Sequence, residues 1–295
     1  MTDLQIARQT TVTRAAGPAP AAIRAGIGAT ARISPGLAGR LALELWRRPG
    51  RPGEVRPGER AVHESARVGV IPHAGSFVVT YAWGDGARPV LLVHGWRSRA
   101  SRFATLVTAL EAAGYSPVSY DAWAHGATKG PVRTILDHEQ VITALAERHG
   151  GFEAVVAHSF GVPVAMYAVR QGVRADRVVA LSGMSDFGHL VDSFCTTLGL
   201  GAPVDEQLRR AIERRYFDGD SSIWRRFSVG PIPGLDLLVM HSPEDRMVDR
   251  GQADLLVASQ GDRATLIETP GLGHGRILDD PGVIDATVRF VGRRP

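Results

Sequence analysis

The chain has 295 residues, 44% of them hydrophobic and 22% charged, enough apolar side chain to bury a substantial core and too much for a chain disordered throughout. Cys195 is its only cysteine, which excludes an intrachain disulfide and with it a small stapled secreted scaffold. The formal net charge is +4, and residues 1–60 carry an excess of six, ten arginines against Asp3, Glu44, Glu54 and Glu59, so the rest of the chain is close to neutral.

The first thirty residues are rich in Ala, Gly, Thr and Pro, contain no aromatic residue, and are expected to be loosely held. Arg8, Arg14 and Arg24 interrupt every candidate signal-peptide core. No stretch of the chain reaches the roughly 18 to 20 apolar residues that a membrane span requires, so none is expected; with a single cysteine the expected compartment is the cytoplasm. Leu37, Leu41 and Leu45 then recur every four residues among Arg40, Arg47 and Arg48, which predicts a short amphipathic helix docked on the main domain. Peripheral contact of this basic arm with a membrane is the less favoured alternative. Nucleic-acid binding is disfavoured, because the arginines are spaced by Pro and Gly with only Trp46 as an aromatic partner. Pro49, Gly50, Pro52, Gly53, Pro57 and Gly58 predict a linker, so 1–60 reads as an arm and 61–295 as the main domain.

From about residue 66 short β-branched runs alternate with longer helical stretches, the pattern of a mostly parallel sheet. Eight strands are predicted at 67–71, 77–83, 90–94, 117–121, 154–158, 178–181, 235–241 and 264–268. Helices are predicted at 100–113, 131–148, 160–171, 251–259 and 281–292. The strand rhythm stops between Ser185 and Pro231, where 204–216 is the clearest helical piece, and a helical cap inserted at about 186–232 is expected. The expected fold class is α/β, a doubly wound sheet of about eight strands with that cap.

The segment 153–165 runs a buried strand into a helix with Ser159 at the corner. Strand and helix backbones crowd there, and Ala157 and Gly161 are small enough to allow it, while Pro163 suits a helix's first turn. On this segment alone, a serine that merely caps the helix remains an alternative. Upstream, 90–93 leads into His94, Gly95 and Trp96; the backbone N–H groups of Trp96 and Phe160 are candidates to receive an oxyanion. His94 is read as a brace for its loop and Arg97 as a solvated side chain. A serine hydroxyl needs an imidazole to take its proton and a carboxylate to orient that imidazole. The loop after 235–241 offers Asp245 as the acid, with Glu244 and Asp249 beside it and Asp186 in reserve. His274, among three glycines, is the only histidine downstream of both serine and acid.

His94-Gly95-Trp96, Asp121 through Gly126, His158-Ser-Phe-Gly161, the Asp245 loop and Gly273-His274 resemble, in order and spacing, the α/β-hydrolase superfamily over roughly residues 66–293. Within it the chain is most similar to bacterial hydrolases of unassigned substrate with a His-Gly-Trp loop, a short cap and an N-terminal extension. The resemblance implies Ser159 as nucleophile, Asp245 as acid, His274 as base and the Trp96 and Phe160 amides as oxyanion donors. Ala157 and Ala124 stand where glycine is usual, and neither change removes a reacting group. His125 is read as bracing the active-site loops. The implied activity is hydrolysis of a carboxylic ester of a small-molecule acyl substrate. Acyl transfer, thioester, lactone or carbon–carbon hydrolysis, and noncatalytic ligand binding remain alternatives. No cofactor and no metal is expected, because no phosphate loop and no zinc-spaced Cys/His cluster occurs. Phe187, Leu190, Phe194, Trp224 and Phe227 suggest an apolar pocket under the cap, and a homo-oligomer stays open.

Overall fold

Eight strands form one sheet in the order β1-β2-β4-β3-β5-β6-β7-β8: Arg67–His73, Ser76–Ala82, Pro89–Val93, Ser116–Tyr120, Ala154–His158, Arg177–Leu181, Asp236–His241 and Ala264–Glu268, numbered in chain order. The computed structural model describes residues 18–48, 50 and 52–293. β2 runs antiparallel to both β1 and β4, and every other pairing is parallel. β4, β5 and β6 are buried along their whole length. In β5 and β6 that burial explains the apolar runs Ala154–Ala157 and Val178–Leu181, since parallel strands are covered on both faces. The outermost β1 and β8 are largely exposed.

From β3 the chain passes to β4 on one side and then to β5 on the other, with Val93 paired to Ala157 across the reversal. Open parallel sheets bind ligands beyond the carboxyl ends of their strands at such a reversal. The loops that leave β3 and β5 there carry Gly95, Trp96 and Ser159.

By internal packing the chain divides into two units, one holding the described residues up to Trp46 with Leu190–Asp220, the other Arg47–His189 with Ser221–Pro295. In the first unit a helix spans Pro18–Ile33, where a loosely held segment was expected. The segment is rich in alanine and has proline at its first helical position, both of which favour a helix without any aromatic anchor. The earlier part of that expectation, residues 1–17, lies outside the described residues.

The amphipathic helix at Pro35–Trp46 is present, but Leu37 and Leu41 lie on its exposed side. The buried residues are Ala38, Gly39, Ala42 and Leu43, packed against the helix Ala202–Tyr216. Small side chains let the two backbones approach: a Cβ on Gly39 would lie 2.5 Å from Cβ of Gln207. Close fit decides the face, where the leucine spacing suggested another. Helices His189–Leu198, Ala202–Tyr216 and the short Ile223–Arg226 occupy the chain between β6 and β7.

In the second unit Arg99 donates to the Gly53 carbonyl and Arg102 to the Glu54 carbonyl, so the linker stretch is tied down by side chains of the residues after β3. Among the described residues, no helix is long and apolar enough to cross a membrane.

Candidate active site

Ser159 follows β5 with φ +56°, a left-handed conformation that costs a non-glycine residue about 1–2 kcal/mol. The turn sends the chain directly into the helix Gly161–Arg170. A Cβ on Gly161 would sit 2.3 Å from the Val93 carbonyl oxygen, so glycine is required there. The methyl of Ala157, where the family pattern has glycine, is accommodated in full burial.

Three side chains from three loops meet at this corner. The Ser159 hydroxyl lies 3.1 Å from His274 Nε2, and His274 Nδ1 lies 2.8 Å from Asp245 Oδ2. An ionised carboxylate only accepts, so Nδ1 carries the hydrogen and Nε2 is left with its lone pair toward the serine. The other oxygen of Asp245 accepts the amides of Met247 at 2.8 Å and Val248 at 3.1 Å. Burial alone would raise its pKa, but the bond and charge of His274 with these two amides hold the carboxyl below the usual range. The sequence-predicted serine, acid and base are therefore brought together.

Asp186, the reserve acid, instead accepts from the Ser228 hydroxyl and the Gly188 amide. Asp249 caps the helix Arg250–Gln260 through the Gly251 amide. Glu244 serves as a latch. Its carboxylate accepts Ser242 Oγ at 2.9 Å and the Gly271 amide at 2.7 Å, while Ser242 Oγ accepts the Gly273 amide at 2.9 Å. These bonds fasten the loop that carries His274 to the loop that carries Asp245.

The Phe160 amide stands at the start of the helix Gly161–Arg170, where amides are unpaired by helix geometry and attract negative charge. The Ser159 amide is already committed to the Leu181 carbonyl. Across from it, Gly95 lies so close that a Cβ there would be 2.7 Å from Ser159 Cβ, which places the Trp96 loop against the serine. Phe187, Trp224 and Phe227 form a ring cluster that reaches Phe160, with centroid separations of 5.3–6.5 Å along Phe160–Phe187, Phe187–Trp224 and Phe187–Phe227.

Two histidines brace these loops, as their sequence positions suggested. His94 donates through Nδ1 to the Gly95 carbonyl and accepts the Ala122 amide at Nε2. His125 donates to the Trp123 carbonyl and accepts the Arg97 amide. Burial drives the His94 pKa down to about 4 and lowers that of His125, so both rings stay neutral and keep these tautomers near neutral pH. Arg97 is exposed, as expected. Asp121 is fully buried and accepts Tyr81 OH, the amides of Ala100 and Ala127, and Arg99, which ties the loops after β3 and β4 together.

His158 has a part that its sequence position did not reveal. Its Nε2 donates to the His274 carbonyl at 2.9 Å, with the two rings 4.8 Å apart. Burial, reinforced by the neighbouring His274, pushes its pKa down to about 3 and keeps it neutral. Its only sequence signal was its place beside the serine. Among the described residues no group of three or more His, Cys, Asp or Glu side chains could hold a metal.

The alpha/beta hydrolase family model matches residues 90–286, well over half of the chain. The protein belongs to the alpha/beta hydrolase family. Solved structures agree on the fold. Alpha/beta hydrolase domain-containing protein 10 from mouse aligns with a TM-score of 0.59 at 13% identity, covering 77% of this chain and 97% of its own. An esterase from Rhodococcus sp. ECU1013 gives 0.54 at 16% identity, over 77% and 98%. The 2-hydroxy-6-oxo-6-phenylhexa-2,4-dienoate hydrolase from Rhodococcus sp. strain RHA1 gives 0.57 at 16%, over 78% and 99%. At these identities the likeness is one of fold. No curated protein matches the sequence.

Proposed function

We propose that this alpha/beta hydrolase is a serine esterase, which cleaves a carboxylic ester through an acyl-enzyme at Ser159. The observation that carries the reading is the unbroken chain of hydrogen bonds from Ser159 Oγ through the His274 ring to Asp245. A capping serine alone would need neither partner.

In the first half-reaction His274 Nε2 takes the hydroxyl proton as Oγ attacks the acyl carbon. The tetrahedral oxyanion is received by the Phe160 and Trp96 amides, and the imidazolium returns the proton to the leaving alcohol. Asp245 keeps the ring in the tautomer that can accept and stabilises its charge. In the second half-reaction water takes the place of the serine, loses its proton to His274 and releases the acid. Phe187, Trp224 and Phe227, all from the stretch between β6 and β7, give the acyl group an apolar surface. An esterase and a 2-hydroxy-6-oxo-6-phenylhexa-2,4-dienoate hydrolase are both named among the structurally similar proteins.

Hydrolysis of 4-nitrophenyl esters from acetate to decanoate tests the reading. Turnover of at least one chain length, with an initial burst of nitrophenol and loss of both in Ser159→Ala, is expected. No hydrolysis across the series, or equal hydrolysis by the variant, would contradict it.

A further inference from the structure

Beside the loop that carries the base, a cleft of about 380 Å³ is lined by Arg56, Arg246 and Arg276 together with Glu244, His274 and Asp279. The three guanidinium groups come from three separate segments: the stretch before the turn Pro57–Glu59, the loop after β7, and the turn Gly273–Arg276.

The acids nearby offset this charge only in part. Glu244 is occupied by Ser242 and the Gly271 amide, and Asp279 accepts Thr105 Oγ1 at 3.2 Å. Asp245, next to Arg246 in sequence, is committed to His274 and two amides. The Arg56 guanidinium pairs with the Glu59 carboxylate only at 3.7 Å, without a hydrogen bond, while Glu59 accepts the Arg56 amide and is shared with Ser101 and Arg102. Arg276 gives one N–H to the Gly271 carbonyl and keeps the rest of its donor fork. Three arginines against the carboxylates of Glu244 and Asp279 leave the cleft lining with a positive excess of one, which favours entry of an anion.

Its position says what that anion is attached to. In acyl transfer the imidazolium must reach the leaving oxygen, so the leaving group departs on the side of His274. The cleft is walled by that same residue and its neighbours. We infer that the cleft is a subsite for a carboxylate or phosphate substituent on the leaving group of the ester. Arginine's planar fork suits both anions. The inference rests on the serine-esterase reading for the word "leaving group", and on the cleft alone for anion binding.

Two measurements test it on the full-length protein. Calorimetric titration with inorganic phosphate reads the cleft without catalysis: the double variant Arg56→Gln/Arg246→Gln should bind about tenfold more weakly than wild type, the loss expected for charge-assisted hydrogen bonds. The ratio of kcat/KM for 3-carboxy-4-nitrophenyl butyrate to that for 4-nitrophenyl butyrate should fall by a similar factor, about tenfold, in the same variant. Arg263→Gln, whose side chain pairs with Asp236 where β7 and β8 begin, should change neither quantity. Phosphate binding equal in wild type and double variant, or absent from both, would overturn the subsite. Weakened phosphate binding with an unchanged ester ratio would overturn its assignment to the leaving group. Failure of both esters to react would count against the esterase reading, while the phosphate titration would still decide the cleft.

Discussion

The loops that leave β3, β4, β5 and β6 each hold a non-glycine residue in the left-handed region: Arg97, Ala124, Ser159 and Ser182. The turns that enter β4, β5, β6 and β7 place glycine there instead, at Gly114, Gly150 and Gly151, Gly172 and Gly234, with Arg88 before β3 the exception. The amino ends of the strands are thus built from conformations that cost little. At the carboxyl ends the chain carries about 1–2 kcal/mol of strain at each such residue. It also buries the neutral rings of His94, His125 and His158. Strain and buried polar groups persist where neighbouring contacts hold them, here the bonds of Asp121, the two bracing histidines and Glu244. The difference marks the end of the sheet that is organised for chemistry.

Substitutions at the two ends should separate accordingly. Ser159→Ala or His274→Ala is expected to lower kcat by roughly 10⁴ to 10⁶, and Asp245→Asn by about 10⁴ through the wrong tautomer, measured on any ester that the wild type turns over. Gly95→Ala forces a methyl against Ser159 and should cost about 10²-fold in kcat with the fold intact by circular dichroism, since a shift near 1 Å at the reacting group has that effect.

Acid should weaken the carboxyl end through its buried histidines. His94, at about 4, and His138 and His158, at about 3, lie below their unfolded value near 6.5. Their stabilisation is therefore complete above pH 6.5 and is lost progressively as pH falls toward those lowered values. Urea midpoints at pH 7, 6 and 5 would read this as a fall that steepens below pH 6. Asp245, with its pKa lowered, stays ionised throughout that window and gives up its contribution only below the ordinary carboxylate range. Smaller still, Ala124→Gly relieves φ +63° and should stabilise by about 0.5–1 kcal/mol, read as a rise in Tm. At the amino end, Arg263→Gln breaks an exposed ion pair and should change stability by less than about 0.5 kcal/mol without altering turnover.

Much of this was legible in the sequence, for physical reasons that differ by region. The strands were readable because a sheet covered on both faces needs unbroken apolar runs, as at Val90–Val93 and Leu237–Met240. The loops of Ser159 and Asp245 were readable because each follows such a run, and that of His274 because it follows the next, more exposed strand in the right order. The sequence favoured Asp245 over adjacent Glu244 but gave no role to the latter: Asp245 turns into full burial beside His274 while Glu244 latches the loop, a division that backbone geometry sets. The face that the helix Pro35–Trp46 buries was misread because leucine spacing reports apolarity, whereas the fit against Gln207 depends on the absence of a side chain at Gly39. His158 stayed silent because its partner is a backbone carbonyl 116 residues away.

Intact-protein mass spectrometry after exposure to a fluorophosphonate is the most direct examination of the Ser159 assignment. One phosphonyl adduct on the native chain, mapped to Ser159, absent from Ser159→Ala and strongly slowed in His274→Ala, is the expected result. An unmodified native protein, or equal labelling of the Ser159→Ala chain, would contradict it.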